Sequence, residues 1–528
     1  MAGITVAGLC SAPDFVVRLA LLIAGGFAIA ALRLTRRDRP RLAMAAHIVA
    51  AALAGFVLLH LRYPQLHRWE SRPPREATLT LKVTRLFGHA PGSRSVGGLA
   101  IVTDGGSTES SLVGQPIYFS AIQRISVPPR DAGEYRIHGV LEPLPHDAEP
   151  AGFNDYLANH GIRQRLVRAR ILHETSPPSP MARAVLELRS RFTAVLRQGL
   201  EKHPQVASLY LAMLLGEKAA LNPAQENAFM RSGTFHVFSV SGLHVGVIAL
   251  ALQMLLMALR VPRRPGAVVA LAVLWLYILV TGGGTPSTRA LVMSAALGAA
   301  YAFQLPGNAL SALAASALGI LLVDPLQLFS TGFQMSYAVV AALLLMGTPL
   351  ADRWLPFWQP FVLRPRPEWR WWHEFANWSG RKAIAAVAGS WAAFLAGAAP
   401  GIGFFGIFSP GSLVANLVVL PFSSLVIVAG FLSILTGLLG LLPLSALFNS
   451  AAAMLLLATD WLVRHGTGLP GVYFPGTFRC GWLGPAALAL MVATMLAGAS
   501  VGWKSRHGGF WPPFVLLVVL LIFGVKFG

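Results

Sequence analysis

Few side chains in this 528-residue sequence are of a type that does chemistry, and most of those lie inside apolar runs. His236 and His244 bracket HVFSVSGLHVGV, which also carries Ser239, Ser241 and Gly242. Eight residues apart on a helix, the two imidazoles lie about 80° apart around the axis and too far along it for direct chelation. Interhelical hydrogen bonding and the lining of a pore suit them equally. Gly242 beside Ser241 marks a helix break whose freed backbone groups can line a cavity. Arg289 follows GGGTPST at the edge of an apolar stretch. An arginine there either snorkels to the membrane interface or, beside a broken helix, meets passing phosphates. Asp324 opens DPLQLFSTGFQMSY, whose Gln334 and Ser336 face a short, interrupted segment, and Asn416 sits in FSPGSLVANLVVLPF with Ser409, Pro410 and Pro421. Ionisable groups in a span cost about 2.5–3.5 kcal/mol at its centre, so each asks for a reason. Broken apolar segments are the usual pointer to a transport path.

Enzyme motifs are missing. There is no GxxxxGK[ST] phosphate loop, and none of the 14 histidines forms HxH or HExxH. Cys10 and Cys480 lie far apart in apolar flanks. These patterns predict a non-enzymatic chain with no cofactor and no metal site.

The elements that hold these residues follow from composition. Hydrophobic residues make up 55% and charged ones 12%, with a mean hydropathy of +0.60. A soluble surface needs about twice that charge. The chain is a polytopic α-helical membrane protein by this measure. Twelve candidate spans, some broken or re-entrant, fall at 15–32, 42–61, 237–259, 266–281, 287–304, 309–323, 334–347, 384–407, 412–440, 444–463, 482–502 and 511–526. Cations orient them. Clusters at 33–41, 260–264, 353–382 and 504–506 fall on one side, whereas the short loops opposite carry only Arg464 and Arg479. The positive-inside rule makes the first side cytoplasmic, which puts both termini and 62–236 outside.

Within 62–236 the texture changes. Leu79, Leu81 and Val83 alternate with Thr80, Lys82 and Thr84, the pattern of a half-buried strand. Runs at 98–103, 115–121, 134–141 and 162–173 follow between Gly, Pro and Asp turns. Five short strands suit a small barrel, of OB or another five-stranded kind. Arg163, Arg165, Arg168 and Arg170 interleave with apolar residues on the last run. They form either a groove for a phosphate backbone or a solvated face. Residues 181–203 read as an amphipathic helix, on the membrane or against the barrel. The Trp-rich basic loop 348–383 reads as an interfacial aromatic belt or a surface that receives nucleic acid. The expected organisation is 1–61, two N-terminal spans; 62–180, the barrel; 181–236, amphipathic helix and connector; and 237–528, the transmembrane domain.

GFNDYLANHGI (152–162), LAMLLGEKAALNPAQENAFMRSGTFHVFSVSGLHVGV (211–247), DPLQLFSTGFQMSY (324–337) and FSPGSLVANLVVLPF (408–422) resemble the ComEC family of bacterial competence proteins. The matches are separate, ordered and spread over most of the chain. The resemblance implies a multi-pass plasma-membrane channel that passes single-stranded DNA inward during natural transformation, with an OB-like, DNA-binding barrel outside. It carries His236, Ser241, Gly242, His244, Arg289, Asp324, Gln334 and Asn416 over as family-type positions. It also implies partners: DNA, membrane lipids, and competence machinery such as a DNA receptor, a cytoplasmic ATPase and a separate nuclease. Many members continue into a metallo-β-lactamase-like nuclease, whose HxHxDH is missing here, and some have a cysteine pair in the outward domain that this chain lacks. A secondary transporter of a small anion or lipid-related substrate is the rival class, and a membrane scaffold the third.

Overall fold

The computed structural model describes residues 1–9, 12–36, 39–63, 66, 72–87, 95–106, 109–122, 129–145, 152–217, 221–238, 240–304, 307–362, 366–505 and 508–528. In chain order the first elements are α1 (Ala2–Leu9), α2 (Asp14–Arg36), α3 (Pro40–Arg62), β1 (Arg75–Leu86), β2 (Ser95–Asp104), β3 (Pro116–Ile122), β4 (Glu134–Pro143), α4 (Phe153–Asn159) and β5 (Gln164–Ser176). Then come α5 (Pro180–Arg197), α6 (Pro204–Leu215), α7 (Pro223–Arg231), α8 (Gly242–Ala258), α9 (Arg263–Val280), α10 (Thr285–Phe303), α11 (Ala309–Val323), α12 (Thr331–Ala342) and α13 (Thr348–Trp354). The remainder holds α14 (Trp371–Phe405), β6 (Ile407–Phe408), α15 (Ser412–Leu438), α16 (Leu442–Thr467), β7 (Phe474–Phe478), α17 (Leu483–Ser500), α18 (Pro512–Val519) and β8 (Val525–Phe527).

Among the described residues, eight helical segments are long and apolar enough to cross a membrane. They fall on α2, α3, α9, α12–α13, α14, α15, α16 and α17. Shorter apolar helices are α6, α8, α11 and Pro512–Gly524, and the candidate at 287–304 falls on α10. Two readings are corrected. The 334–347 segment is not short: a π turn at Leu343–Gly347 carries α12 into α13, giving a 27-residue segment from Thr331 to Phe357. Pro349 explains the turn, because it has no N–H for the Leu345 carbonyl four residues back. That carbonyl accepts from Trp503 Nε1 instead, at 2.9 Å. Pro421 interrupts nothing either, since α15 runs through it; the break lies before α15, where Gly406 adopts φ +64°.

By contacts the chain divides into two compact units: Met1–Arg183 with Ala317–Phe333, and Ala184–Ser316 with Gln334–Gly528. In the first, α2 and α3 pack as a hairpin through Val17, Ala20 and Val57. The five runs seen in the sequence form a closed barrel of order β1-β2-β3-β5-β4. The 12-residue β1 pairs with both β2 and β4 and closes it. Leu79, Leu81 and Val83 point inward, as their alternation requires, and meet Phe119, Ile137, Leu141 and Leu166 in the barrel core. Where β5 bulges at Arg168 (φ +51°), β4 supplies Gly139, and a Cβ there would lie 2.8 Å from the Ala169 Cα.

The second unit is built around α6. Val206, Ala207 and the run Leu209–Leu215 are buried, and α8, α15 and α16 supply much of the surrounding core. Sequence reading passed over this helix as part of a connector, although LYLAMLL is wholly apolar. The apolar face of α5 (Phe192, Leu196) packs into the same core. Close helix contacts rest on small residues, as expected where lipid gives no hydrophobic drive. Gly430 lies against Leu214 and Tyr210, and Gly437 against Val195.

Candidate functional site at the head of α8

The chain leaves α7 through a tight turn at Gly233 (φ +72°), packed on Ser409 and Ser412. Ser409 Oγ donates to the Arg231 carbonyl at 2.9 Å. A single 3-10 turn, Phe235–Phe238, follows, and α8 starts afresh at Gly242. The break expected at Ser241–Gly242 is therefore real. Ser241 is the N-cap: its Oγ accepts from the Leu243 N–H at 3.2 Å, and its own N–H donates to His244 Nδ1 at 3.3 Å. His244, fully buried, is thus a capping residue first. His236, in the 3-10 turn just ahead of this cap, keeps an exposed side chain. Ser239 lies outside the described residues.

Arg289 comes to this same break. Positive-φ glycines Gly282 and Gly283 separate α9 from α10, and Ser287, wholly buried, bonds back to the Gly284 carbonyl at 2.7 Å. One turn into α10, Arg289 is only 3% exposed, so it does not snorkel. Its Nη1 donates to the Ser336 carbonyl at 2.8 Å, and its guanidinium lies 5.4 Å from the centre of the Tyr337 ring. Tyr337 in turn shares a 3.0 Å hydrogen bond with Ser316. A Cβ on Gly242 would collide with Arg289 Nη2, so only glycine lets the guanidinium reach the first residue of α8. Among the described residues no carboxylate pairs with Arg289, and its Nε has no hydrogen-bond partner. Tyr337 was missed from sequence; its place directly after Ser336 in GFQMSY was the available signal.

The other sequence candidates stand as follows. Gln334 shares α12 with Ser336 and is half-buried. Asn416 lies in the second turn of α15, with its Oδ1 buried and lacking a hydrogen bond. Asp324 belongs to the first unit. It accepts from Tyr63 Oη (2.8 Å), the Leu326 N–H (3.1 Å) and Gln327 Nε2 (2.8 Å), so it caps the turn Pro325–Phe329 and ties it to the end of α3. The barrel arginines split in two. Arg163 donates to the carbonyls of Leu66, Ala158 and Ile162 at 2.9–3.1 Å, and Arg165 to Asn154 Oδ1 (3.2 Å) and Glu142 (3.4 Å). Only Arg168 and Arg170 are exposed.

Membrane-length helices joined to a closed five-stranded barrel define a multi-pass membrane protein. The family model described as "Competence protein" matches residues 213–505, more than half of the chain, and the chain belongs to that family. It is similar to ComE operon protein 3 of Bacillus subtilis (strain 168), 28% identical over 212 residues, covering 40% of this chain and 27% of that protein. It is also similar to Competence protein ComA of Neisseria gonorrhoeae, 35% identical over 147 residues, covering 26% of this chain and 21% of that one. Uncharacterized protein YcaI of Escherichia coli (strain K12) is 26% identical over 194 residues, covering 35% and 23%. The chain thus spans about a quarter of the length of these curated relatives. No solved structure matches it.

Proposed function

We propose that this protein is a bacterial plasma-membrane channel that admits single-stranded DNA during natural transformation, acting by translocation and not by catalysis. One observation carries the reading. The segment matched by the competence family, 213–505, holds both the interrupted head of α8 and the buried Arg289 that abuts it, with which no carboxylate pairs among the described residues. A strand's phosphates need fixed positive charge without a competing carboxylate, and its passage needs interrupted helices rather than a sealed bundle. The barrel fits the role. Its order β1-β2-β3-β5-β4, closed by β1–β4 pairing and with β3 parallel to β5, is OB-like, a fold suited to single strands. The asymmetry of arginines supports a barrel outside the membrane. DNA and other competence proteins are its partners.

Deleting the gene tests the proposal. Transformation is lost while labelled DNA still binds at the cell surface. Normal transformation frequency in the deletion strain, with no second copy present, overturns it.

A further inference from the structure

Two positive features abut in the helical unit, and among the described residues no carboxylate pairs with the arginine that forms one of them. The first is the N-terminus of α8, a 17-residue helix whose aligned peptide dipoles place about half an elementary charge at its start. The second is the Arg289 guanidinium, whose Nη2 lies so close to Gly242 that a methyl group there would strike it. Arg289 is 3% exposed, its Nε lacks a hydrogen bond, and among the described residues its partners are neutral: the Ser336 carbonyl and the Tyr337 ring. A buried cation without a counter-charge is strongly unfavourable, and pressing it against a helix N-terminus makes it more so. An anion seated there reverses both terms. It would accept from the guanidinium and meet the positive end of the helix, the arrangement by which helix starts bind phosphate.

We propose that Arg289 and the head of α8 form a binding site for a phosphate-type oxyanion, which in the working protein is a phosphodiester of the passing strand. The inference deepens the translocation reading by naming the atoms that hold a phosphate. The ring of Tyr337 backs the guanidinium and Ser336 fixes one of its two terminal nitrogens, so the fork is oriented before the anion arrives. Ser241 caps the helix without adding negative charge, as a neutral hydroxyl does and an aspartate would not.

The test uses the full-length protein in a zwitterionic nanodisc at constant ionic strength. Thermal unfolding is followed as chloride is replaced by inorganic phosphate, and separately as oligo(dT) is added. A bound anion raises the transition temperature with its concentration. Phosphate also stabilises proteins generally, so the readout is the difference between wild type and variants. Arg289→Gln weakens the apparent phosphate affinity by tenfold or more. Gly242→Ala keeps the charge but drives the guanidinium off the helix, and weakens it similarly; it serves if Arg289→Gln does not fold. Oligo(dT) that competes with phosphate identifies the strand as the occupant. A phosphate response without an oligo(dT) response keeps the site and assigns it to free phosphate. Equal phosphate responses in wild type and both variants, or none in wild type, overturn the proposal. The deletion experiment decides the channel reading separately.

Discussion

Asn449 and Val195 are 254 residues apart and meet in a 2.8 Å hydrogen bond from Asn449 Nδ2 to the Val195 carbonyl. The same amide donates to Gln198 at 2.9 Å, so a wholly buried side chain of α16 satisfies the last carbonyls of α5. Its Oδ1 accepts from Ser433 (2.6 Å) and Tyr210 (3.3 Å), and Ser433 Oγ in turn accepts from the Ser445 hydroxyl. Replacing Asn449 by Leu leaves these partners unsatisfied in an apolar surround, at about 1–3 kcal/mol each before relaxation. The purified variant should unfold at a clearly lower temperature, and α5 should lose hydrogen-exchange protection first. Unchanged protection of α5 would show that the clamp is not made.

Acid should loosen the barrel through one pair. Arg75 grips Glu109 with two hydrogen bonds of 2.6 and 2.7 Å, and this contact holds the Glu109 carboxyl below its ordinary value of 4.5. A depressed value means that the pair stabilises the folded barrel fully above the ordinary value. The contribution is lost as pH falls through the depressed one. Hydrogen exchange at β1 should therefore quicken below about pH 4 in wild type. Glu109→Gln should be faster at pH 7 and lack that acid step, and a variant retaining the step would place its origin elsewhere.

The exposed and the engaged arginines of β5 should behave differently. Arg168 and Arg170 are exposed and are the pair offered to a phosphate backbone. Replacing both by Ala should weaken oligo(dT) binding by the full-length protein and reduce the slope of log affinity against log salt by about 1.4, at 0.7 for each single-strand phosphate contact. Arg163→Lys keeps the charge but breaks the fork that spans three carbonyls. It should lower barrel stability and leave the salt slope unchanged. A slope unaffected by the Arg168 and Arg170 changes removes β5 from any nucleic-acid surface.

Much of this was legible in the sequence, for identifiable reasons. The five strands showed because a two-residue alternation such as Leu79, Leu81, Val83 has no helical reading. The break at Ser241–Gly242 showed because small polar residues interrupt an otherwise apolar run. Two things were hidden. Pro421 was counted among the interruptions of FSPGSLVANLVVLPF, yet helix α15 continues through it. The partners of a polar residue are also not written beside it: Asp324 looked like a member of the Arg289 set, but its oxygens go to Tyr63, Leu326 and Gln327. Spacing along the chain gave Arg289 and Gly242 no reason to meet across 47 positions.

The π turn offers the sharpest test of local cause. Pro349 cannot donate to the Leu345 carbonyl, and Trp503 Nε1 takes that place from a distant helix end. Trp503→Phe strands a buried carbonyl and should cost about 1–3 kcal/mol plus lost packing. Pro349→Ala restores an N–H that can close on Leu345, so in that background the tryptophan's indole N–H is no longer needed. The cost of Trp503→Phe should then shrink by about 1 kcal/mol in a double-mutant cycle read by thermal or denaturant unfolding. Strictly additive costs would mean that the freed carbonyl is not what Trp503 serves, and the π turn would need another cause.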